Sequence, residues 1–204
     1  MKIICIGMNY AEHIKELKKE TPQEPVFFCK PDTALLTRNR PFYIPDFTKE
    51  PNYETELVLR ICKVGKNIEP KFASSYYDAY TLGFDFTARD LQRNCFERSL
   101  PWEICKGFDN SAAIGEFISK EKFPQGPQQL HFEMKKNGEV CQRGDTSDMI
   151  FTIDQIISHV SRFLTLRTGD YIFTGTPPGI GKIEIGDRLE ACLEGIPVLR
   201  CAIK

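Results

Sequence analysis

Residues 52–65 read "NYETELVLRICKVG", and within them Glu54 and Glu56 stand one residue apart at the head of the apolar series Leu57, Val58, Leu59 and Ile61. The run reads as a β-strand, and in a strand the side chains at i and i+2 share a face, so both carboxylates point into the same space. Ionised groups buried without a partner are strongly disfavoured or shift their pKa until neutral, so a positive group is expected between them. A Lys or Arg can fill that place, and a hard divalent cation fills it better when a third oxygen ligand lies near. Asp85 in "LGFDFTARD" is such a ligand: an acid in an apolar, strand-like context where no turn needs it. Glu54, Glu56 and Asp85 together make an all-oxygen set suited to Mg²⁺ or Mn²⁺. The spacing alone equally fits an exposed edge strand whose alternating polar residues face solvent.

Around this strand the chain is rich in short β-like segments. "KIICIG" precedes "NYAEHIKELKKE", where Asn9 can cap a helix, and "TPQEP" at 21–25 ends it. "VFFCKPDTALL" resumes extended structure, with Pro31 keeping Lys30 out of helical geometry. "TLGFDFTARDLQRNCFERSL" is a strand running into a helix, with Thr87 and Asp90 spaced as a capping box. A second box, Thr152 and Gln155, opens the clearest helix, whose apolar face carries Ile153, Ile156, Ile157, Val160, Phe163 and Leu164. Asn137-Gly138 marks a hairpin inside "LHFEMKKNGEVCQRG". His131 begins a strand and His159 flanks the helix face, both in structural places. No repeat or dividing linker occurs, so residues 1–204 are read as one α+β, mainly β domain with an extended arm over 1–50.

Composition narrows the function. The 204 residues are 41% hydrophobic, enough for one substantial core. Twenty-seven basic against 28 acidic residues, with neither sign in a block, leave no footprint for nucleic acid or an anionic membrane. No signal-peptide pattern and no apolar run approaching the roughly 18 residues of a membrane span occur, so a soluble cytoplasmic protein is expected. Eight cysteines without CxxC pairing suit free thiols in a reducing compartment. "TGTPPGIG" lacks the spacing of a P-loop or a Rossmann fingerprint; it reads as a turn offering N–H groups and Thr176 to a carboxylate, or as a plain structural turn.

Taken in order, "CIGMNYAEHIKEL", "PVFFCKPDTALL", "YETELVLRI", "GFDFTARDLQ", "LPWEICKGFD" and "GDYIFTGTPPGIG" resemble successive motifs of the fumarylacetoacetate hydrolase family, over nearly the whole chain. The resemblance implies the family's mixed β-roll of layered sheets with a few short helices, in a homodimer. It implies that Glu54, Glu56 and Asp85 hold Mg²⁺, for which Mn²⁺ or Ca²⁺ can substitute. It also implies that His13 and Glu16 form a base dyad on a closing helix, that Lys106 stabilises developing charge, and that Lys30, Arg89, Gln92, Gly175 and Thr176 contact substrate. The chain departs from the pattern at Met8, where eukaryotic acylpyruvase-type members carry Arg, which leaves the handling of a substrate carboxylate there open. It corresponds to the catalytic domain alone of the two-domain members.

Family members act on 2-oxo acids, and metal-assisted enolate chemistry serves hydrolysis of an acylpyruvate, decarboxylation of oxaloacetate and isomerisation of a hydroxymuconate- or hydroxyheptadienedioate-type diacid alike. Hydrolysis further needs an activated water. His13 made more basic by Glu16 fits that general-base role, worth about 10²–10⁴-fold, and favours a Mg²⁺-dependent C–C hydrolase of a small 2-oxo acid. An oxaloacetate decarboxylase and a diacid isomerase share the same site. A non-catalytic, metal-stabilised binding domain is the reading from another class. The Pro-broken "KKETPQEP" after the His13 helix leads to the expectation that this helix orders over bound ligand.

Overall fold

The computed structural model of the chain describes residues 1–16 and 20–204, and the side chains of residues 13, 15 and 16 fall outside that description. In chain order its first half runs through β1 (Ile3–Gly7), α1 (Ala11–Glu16), β2 (Val26–Lys30), β3 (Leu35–Leu36), β4 (Pro51–Tyr53), β5 (Thr55–Ile61), β6 (Tyr77–Asp85), β7 (Thr87–Ala88) and α2 (Arg89–Glu97). There follow α3 (Glu103–Lys106), β8 (Ala112–Ile114), β9 (Ile118–Ser119), β10 (His131–Lys136), β11 (Glu139–Asp145), α4 (Ile153–Phe163), β12 (Tyr171–Phe173), β13 (Gly181–Lys182), β14 (Arg188–Leu193) and β15 (Ile196–Ala202). The result is the mainly β fold with short helices that the sequence leads one to expect.

Three sheets result. The largest has the order β2-β1-β12-β5-β6-β8-β3, with β9 also on β6, and it is mixed, since β1 runs parallel to β12 and β3 parallel to β8. A second, antiparallel sheet is ordered β11-β10-β14-β15 and a third β13-β4-β7. Because β1 lies between β2 and β12, residues 3–7 belong to the sheet interior and are no appendage to it. Leu57, Leu59, Ile172, Phe132 and the α4 residues Ile153, Ile156, Ile157 and Val160 share one core, each such side chain contributing about 1.5–3 kcal/mol by burial. Phe163 at the end of α4 is left exposed, its ring tilted against Phe27 and His159.

Local signals fared unevenly. Thr152 and Gln155 make the capping box at α4, and Asn137 and Gly138 both take positive φ in the β10–β11 turn, the backbone such a two-residue hairpin requires. Thr87 and Asp90 form no box: Thr87 is in β7 and donates to the Asp85 carbonyl, while Asp90 accepts from Thr48 Oγ1 at 2.6 Å and from Lys49 N–H at 2.9 Å, pinning the approach to β4. Asn9 likewise does not turn its side chain to α1. Its amide donates to the Thr174 and Phe151 carbonyls and its Oδ1 accepts from Phe151 N–H, tying the end of β1 to the loop after β12. All eight cysteines are free, with Cys5, Cys95, Cys105 and Cys201 buried.

Candidate active site

The β5–β6 ladder ends where the largest sheet meets the small β13-β4-β7 sheet, and the acids collect at that end. Glu54 sits in the break between β4 and β5, its carbonyl accepting from Asp85 N–H at 2.8 Å. Glu56 pairs with Gly83 across the ladder, and Asp85, the last residue of β6, pairs with Ala112 of β8. One ligand oxygen from each of Glu54, Glu56 and Asp85 lies within 4.8 Å of the others, and all three residues are buried. The exposed edge strand left open by the sequence is thereby ruled out, since Glu56 and Asp85 are each only 1% accessible.

Cations hold two of the three. Lys106 Nζ, from α3, donates to Glu54 Oε2 at 2.7 Å and to Asp85 Oδ2 at 2.8 Å. Arg89, the first residue of α2, donates through Nη2 to Glu54 Oε1 at 2.6 Å and through Nη1 to Gln92 Oε1 one turn on. Burial works against the charged Lys106 ammonium, but Asp85 and Glu54 outweigh it and raise its pKa. Glu56 has no such cation among the described residues; its Oε2 accepts from the Gly175 N–H at 2.7 Å. Burial, followed by the negative Asp85 and Glu54, pushes the Glu56 carboxyl well above the usual carboxylate range, against the opposing pull of Lys106 and Gly175. Gly175 can serve this way because its φ is +102°, and a Cβ there would stand 2.8 Å from Asn9 Cβ.

The remaining expected residues divide between the cavity and its support. Glu54, Glu56, Asp85, Arg89, Lys106 and Thr176 line a narrow cavity of about 40 Å³, with Gln92 beside them. Arg89 Nε–H has no hydrogen-bond partner among the described residues, a donor that an anionic ligand can take. Thr176 Oγ1 donates to the Thr55 carbonyl and accepts from Gln142 Nε2, both at 2.9 Å. Lys30 is placed behind the site, not in it. Its Nζ donates to Ser111 O and Oγ at 2.9 Å and stands 2.7 Å from Asp85 Oδ1, an ion pair whose angle is too poor for a hydrogen bond. The Gly175 N–H is likewise committed to Glu56, so Lys30 and Gly175 each contact a carboxylate of the triad. His13 and Glu16 lie in α1 by backbone, and the arrangement of their side chains lies outside the described residues.

Sequence reasoning missed Gln142, which reaches from β11 to Thr55 N–H, Thr176 and the Pro177 carbonyl. It also missed Phe28, Phe96 and Trp102, which line the cavity together with Met8, the position where the chain departs from the family pattern. A wider groove of about 720 Å³ on the four-stranded sheet, around His131 and Arg143, holds no buried acid cluster and lies away from this chemistry.

The family profile described as "Fumarylacetoacetate (FAA) hydrolase C-terminal" matches residues 2–204. The chain belongs to the fumarylacetoacetate hydrolase family. It is 42% identical over 202 residues to the mitochondrial oxaloacetate tautomerase FAHD1 of Mus musculus, covering 99% of this chain and 91% of the relative. The crystal structure of fumarylpyruvate hydrolase from Pseudomonas aeruginosa, in complex with Mn²⁺ and pyruvate, superposes with a TM-score of 0.93 at 36% identity, covering 100% of this chain and 89% of that one. The structure of 5-carboxymethyl-2-hydroxymuconate delta-isomerase from Mycobacterium smegmatis gives a TM-score of 0.87 at 34% identity, with 99% and 78% covered. This chain is an enzyme of that family with its mostly β fold. Among the described residues no helix is long and apolar enough to cross a membrane.

Proposed function

We propose that this enzyme hydrolyses a C–C bond in an acylpyruvate-type 2-oxo acid with the help of a divalent cation. The observation that carries the reading is the convergence of Glu54, Glu56 and Asp85 within 4.8 Å, with Glu56 lacking any cation partner among the described residues. This donor set fits a hard cation: three buried oxygens, one of them destabilised by its two anionic neighbours. Glu54, Glu56 and Asp85 would hold Mg²⁺, or Mn²⁺ or Ca²⁺ in its place, and the relative with Mn²⁺ and pyruvate supports that choice. When bound, such an ion supplies Lewis-acid polarisation of the substrate's oxygens.

The chain's own residues supply the rest. His13, made basic by Glu16, takes a proton from water, and the water oxygen bonds to the distal acyl carbon. The bond between that carbon and C3 of the pyruvyl half then breaks, its electron pair passing into the pyruvate enolate, and protonation at C3 yields pyruvate and a carboxylic acid. Lys106 places a fixed positive charge where the enolate oxygen develops, the kind of preorganised contact that usually dominates such catalysis. Arg89 and Gln92 orient the substrate carboxylate, with the free Arg89 Nε–H as the available donor. The functional unit on this reading is a homodimer in the cytoplasm.

The mouse relative favours a second reading, enolisation of a 2-oxo dicarboxylate, which needs the same polarised oxygens and a proton carrier but no water. Two assays on chelator-stripped protein, each with and without added Mg²⁺, separate the two: pyruvate release from acetylpyruvate, and enol–keto conversion of oxaloacetate followed by the ultraviolet absorbance of the enol. Metal-dependent release from acetylpyruvate is expected. Turnover of oxaloacetate alone overturns the hydrolase in favour of the second reading.

A further inference from the structure

We propose that Gln142 is a positioning residue: its side-chain amide stands in for the strand that β5 lacks beside Thr55, and thereby holds Glu54, Glu56 and the Gly175–Thr176 loop in the geometry a bound cation needs. The inference rests on the reading of Glu54, Glu56 and Asp85 as metal ligands. In a strand alternate residues turn their main-chain groups to the same edge, so Thr55 and Leu57 face the edge of β5 that β12 covers. β12 pairs with β5 as far as Phe173, opposite Val58, and main-chain pairing closes at Leu57, whose carbonyl accepts from Thr174 N–H at 3.1 Å. Thr174 Oγ1 donates to the same carbonyl at 2.9 Å. Two residues away, at the position between the paired glutamates, side chains replace the missing strand. Thr55 N–H donates to Gln142 Oε1 at 3.0 Å, and the Thr55 carbonyl accepts from Thr176 Oγ1 at 2.9 Å.

The amide can take one orientation only. Thr55 N–H is a donor and the Pro177 carbonyl an acceptor, so Oε1 faces the first and Nε2 the second, at 2.9 Å. The other Nε2 proton goes to Thr176 Oγ1, also at 2.9 Å, which leaves that hydroxyl its own proton for the Thr55 carbonyl. Both amide protons and the amide oxygen are thus committed, in a residue only 1% accessible. The loop itself lies directly on β11: Gly179 has φ +98°, and a Cβ there would stand 2.4 Å from the Cys141 carbonyl oxygen. From the same loop the Gly175 N–H reaches Glu56. One amide from the four-stranded sheet therefore fixes both the main chain between Glu54 and Glu56 and the loop that donates to Glu56. Groups that orient a metal ligand without touching the metal change affinity for it by about 10–100-fold when removed.

The test is calorimetric titration of chelator-stripped protein with Mn²⁺, wild type beside Gln142→Met and Thr176→Val. Gln142→Met keeps the length of the side chain and removes its hydrogen bonds, whereas Thr176→Val keeps the shape and removes the hydroxyl. Neither residue is a metal ligand on this account, so a lowered affinity reports the position of the carboxylates. Urea melts in chelator establish that each variant is folded under the conditions of the titration. Mn²⁺ binding about 10–100-fold weaker is expected in Gln142→Met, and about tenfold weaker in Thr176→Val. At saturating Mn²⁺ the electron paramagnetic resonance line shape of the bound ion should still differ from wild type in Gln142→Met, a change that a general loss of stability does not produce. Should Gln142→Met fail to fold, Thr176→Val carries both measurements. Undiminished affinity or an unaltered line shape in the folded variant overturns the inference alone. Absence of a wild-type Mn²⁺ site overturns the reading of the triad and this inference with it.

Discussion

On the four-stranded sheet His131 stands 3.2 Å from both Asp145 and Glu194, with 68% of its side chain exposed. At the end of the β5–β6 ladder Glu54, Glu56 and Asp85 bring ligand oxygens within 4.8 Å of one another, out of water. Both places gather acids around nitrogen-bearing side chains, yet only the second constrains its chemistry. At the surface, water and salt screen the charges and an exposed pair is worth about 0–1 kcal/mol. In the interior every carboxylate needs a partner, and three side chains, Lys30, Arg89 and Lys106, are recruited to two of them, while Glu56 has the Gly175 N–H and no cation among the described residues. Burial, not the number of acids, separates a binding site from a solvated cluster.

The sharpest way to break this contrast is Glu56→Ala. Metal-dependent kcat/KM should fall about a thousandfold, the scale lost with a preorganised contact to the reacting atoms. Glu56→Gln, which keeps an acceptor for the Gly175 N–H, should lose activity without lowering urea stability in chelator, because it removes the charge that Glu54 and Asp85 oppose. A loss of stability there would mean that Glu56 is a structural acid like the others. Next comes Lys106→Met, which leaves Glu54 and Asp85 buried without their shared ammonium. It should cost the metal-free protein about 3–5 kcal/mol in the same urea measurement, as uncompensated buried charges do, with part of the loss returned by saturating Mg²⁺.

A smaller effect is expected at Asp90. Burial raises its carboxyl, but the bonds from Thr48 Oγ1, Lys49 N–H and Leu91 N–H outweigh burial and hold it below the usual range. A carboxyl lowered by folding stabilises the fold above its unfolded pKa of about 3.9 and loses that contribution as pH falls through the lower folded value. Asp90→Asn should therefore cost about 1 kcal/mol at neutral pH, with the gap to wild type closing below about pH 4 in parallel melts. Smallest of all, His131→Asn should change stability by no more than about 0.5 kcal/mol and leave turnover intact. A larger change in either would show the surface cluster to be more than a solvated one.

Much of the site was legible because its signals were local. The i, i+2 pair at Glu54 and Glu56 and the apolar context of Asp85 sit in short, self-consistent stretches, whereas Arg89 and Lys106 entered through the family resemblance. What stayed hidden depends on long-range packing. Phe28, Phe96 and Trp102 come from a strand, a helix and a helix cap with no common spacing, and only the fold brings them edge to edge. Gln142 reaches Thr176 from a strand of a different sheet, a bond no sequence window contains. The Thr87–Asp90 spacing matches a capping box, but Asp90 is drawn away by Thr48, 42 residues upstream. Nor does any sequence window show that the Lys30 ammonium meets Ser111 and Asp85, 81 and 55 residues away in the chain.

The most direct test of the buried triad is calorimetric titration of chelator-stripped protein with Mn²⁺, wild type beside Glu56→Ala and Asp85→Asn. One site per chain in the wild type, lost or at least about a hundredfold weaker in both variants, is the result this account requires. Undiminished Mn²⁺ binding by the variants would place the cation elsewhere and leave Glu54, Glu56 and Asp85 as a structural ion-pair network.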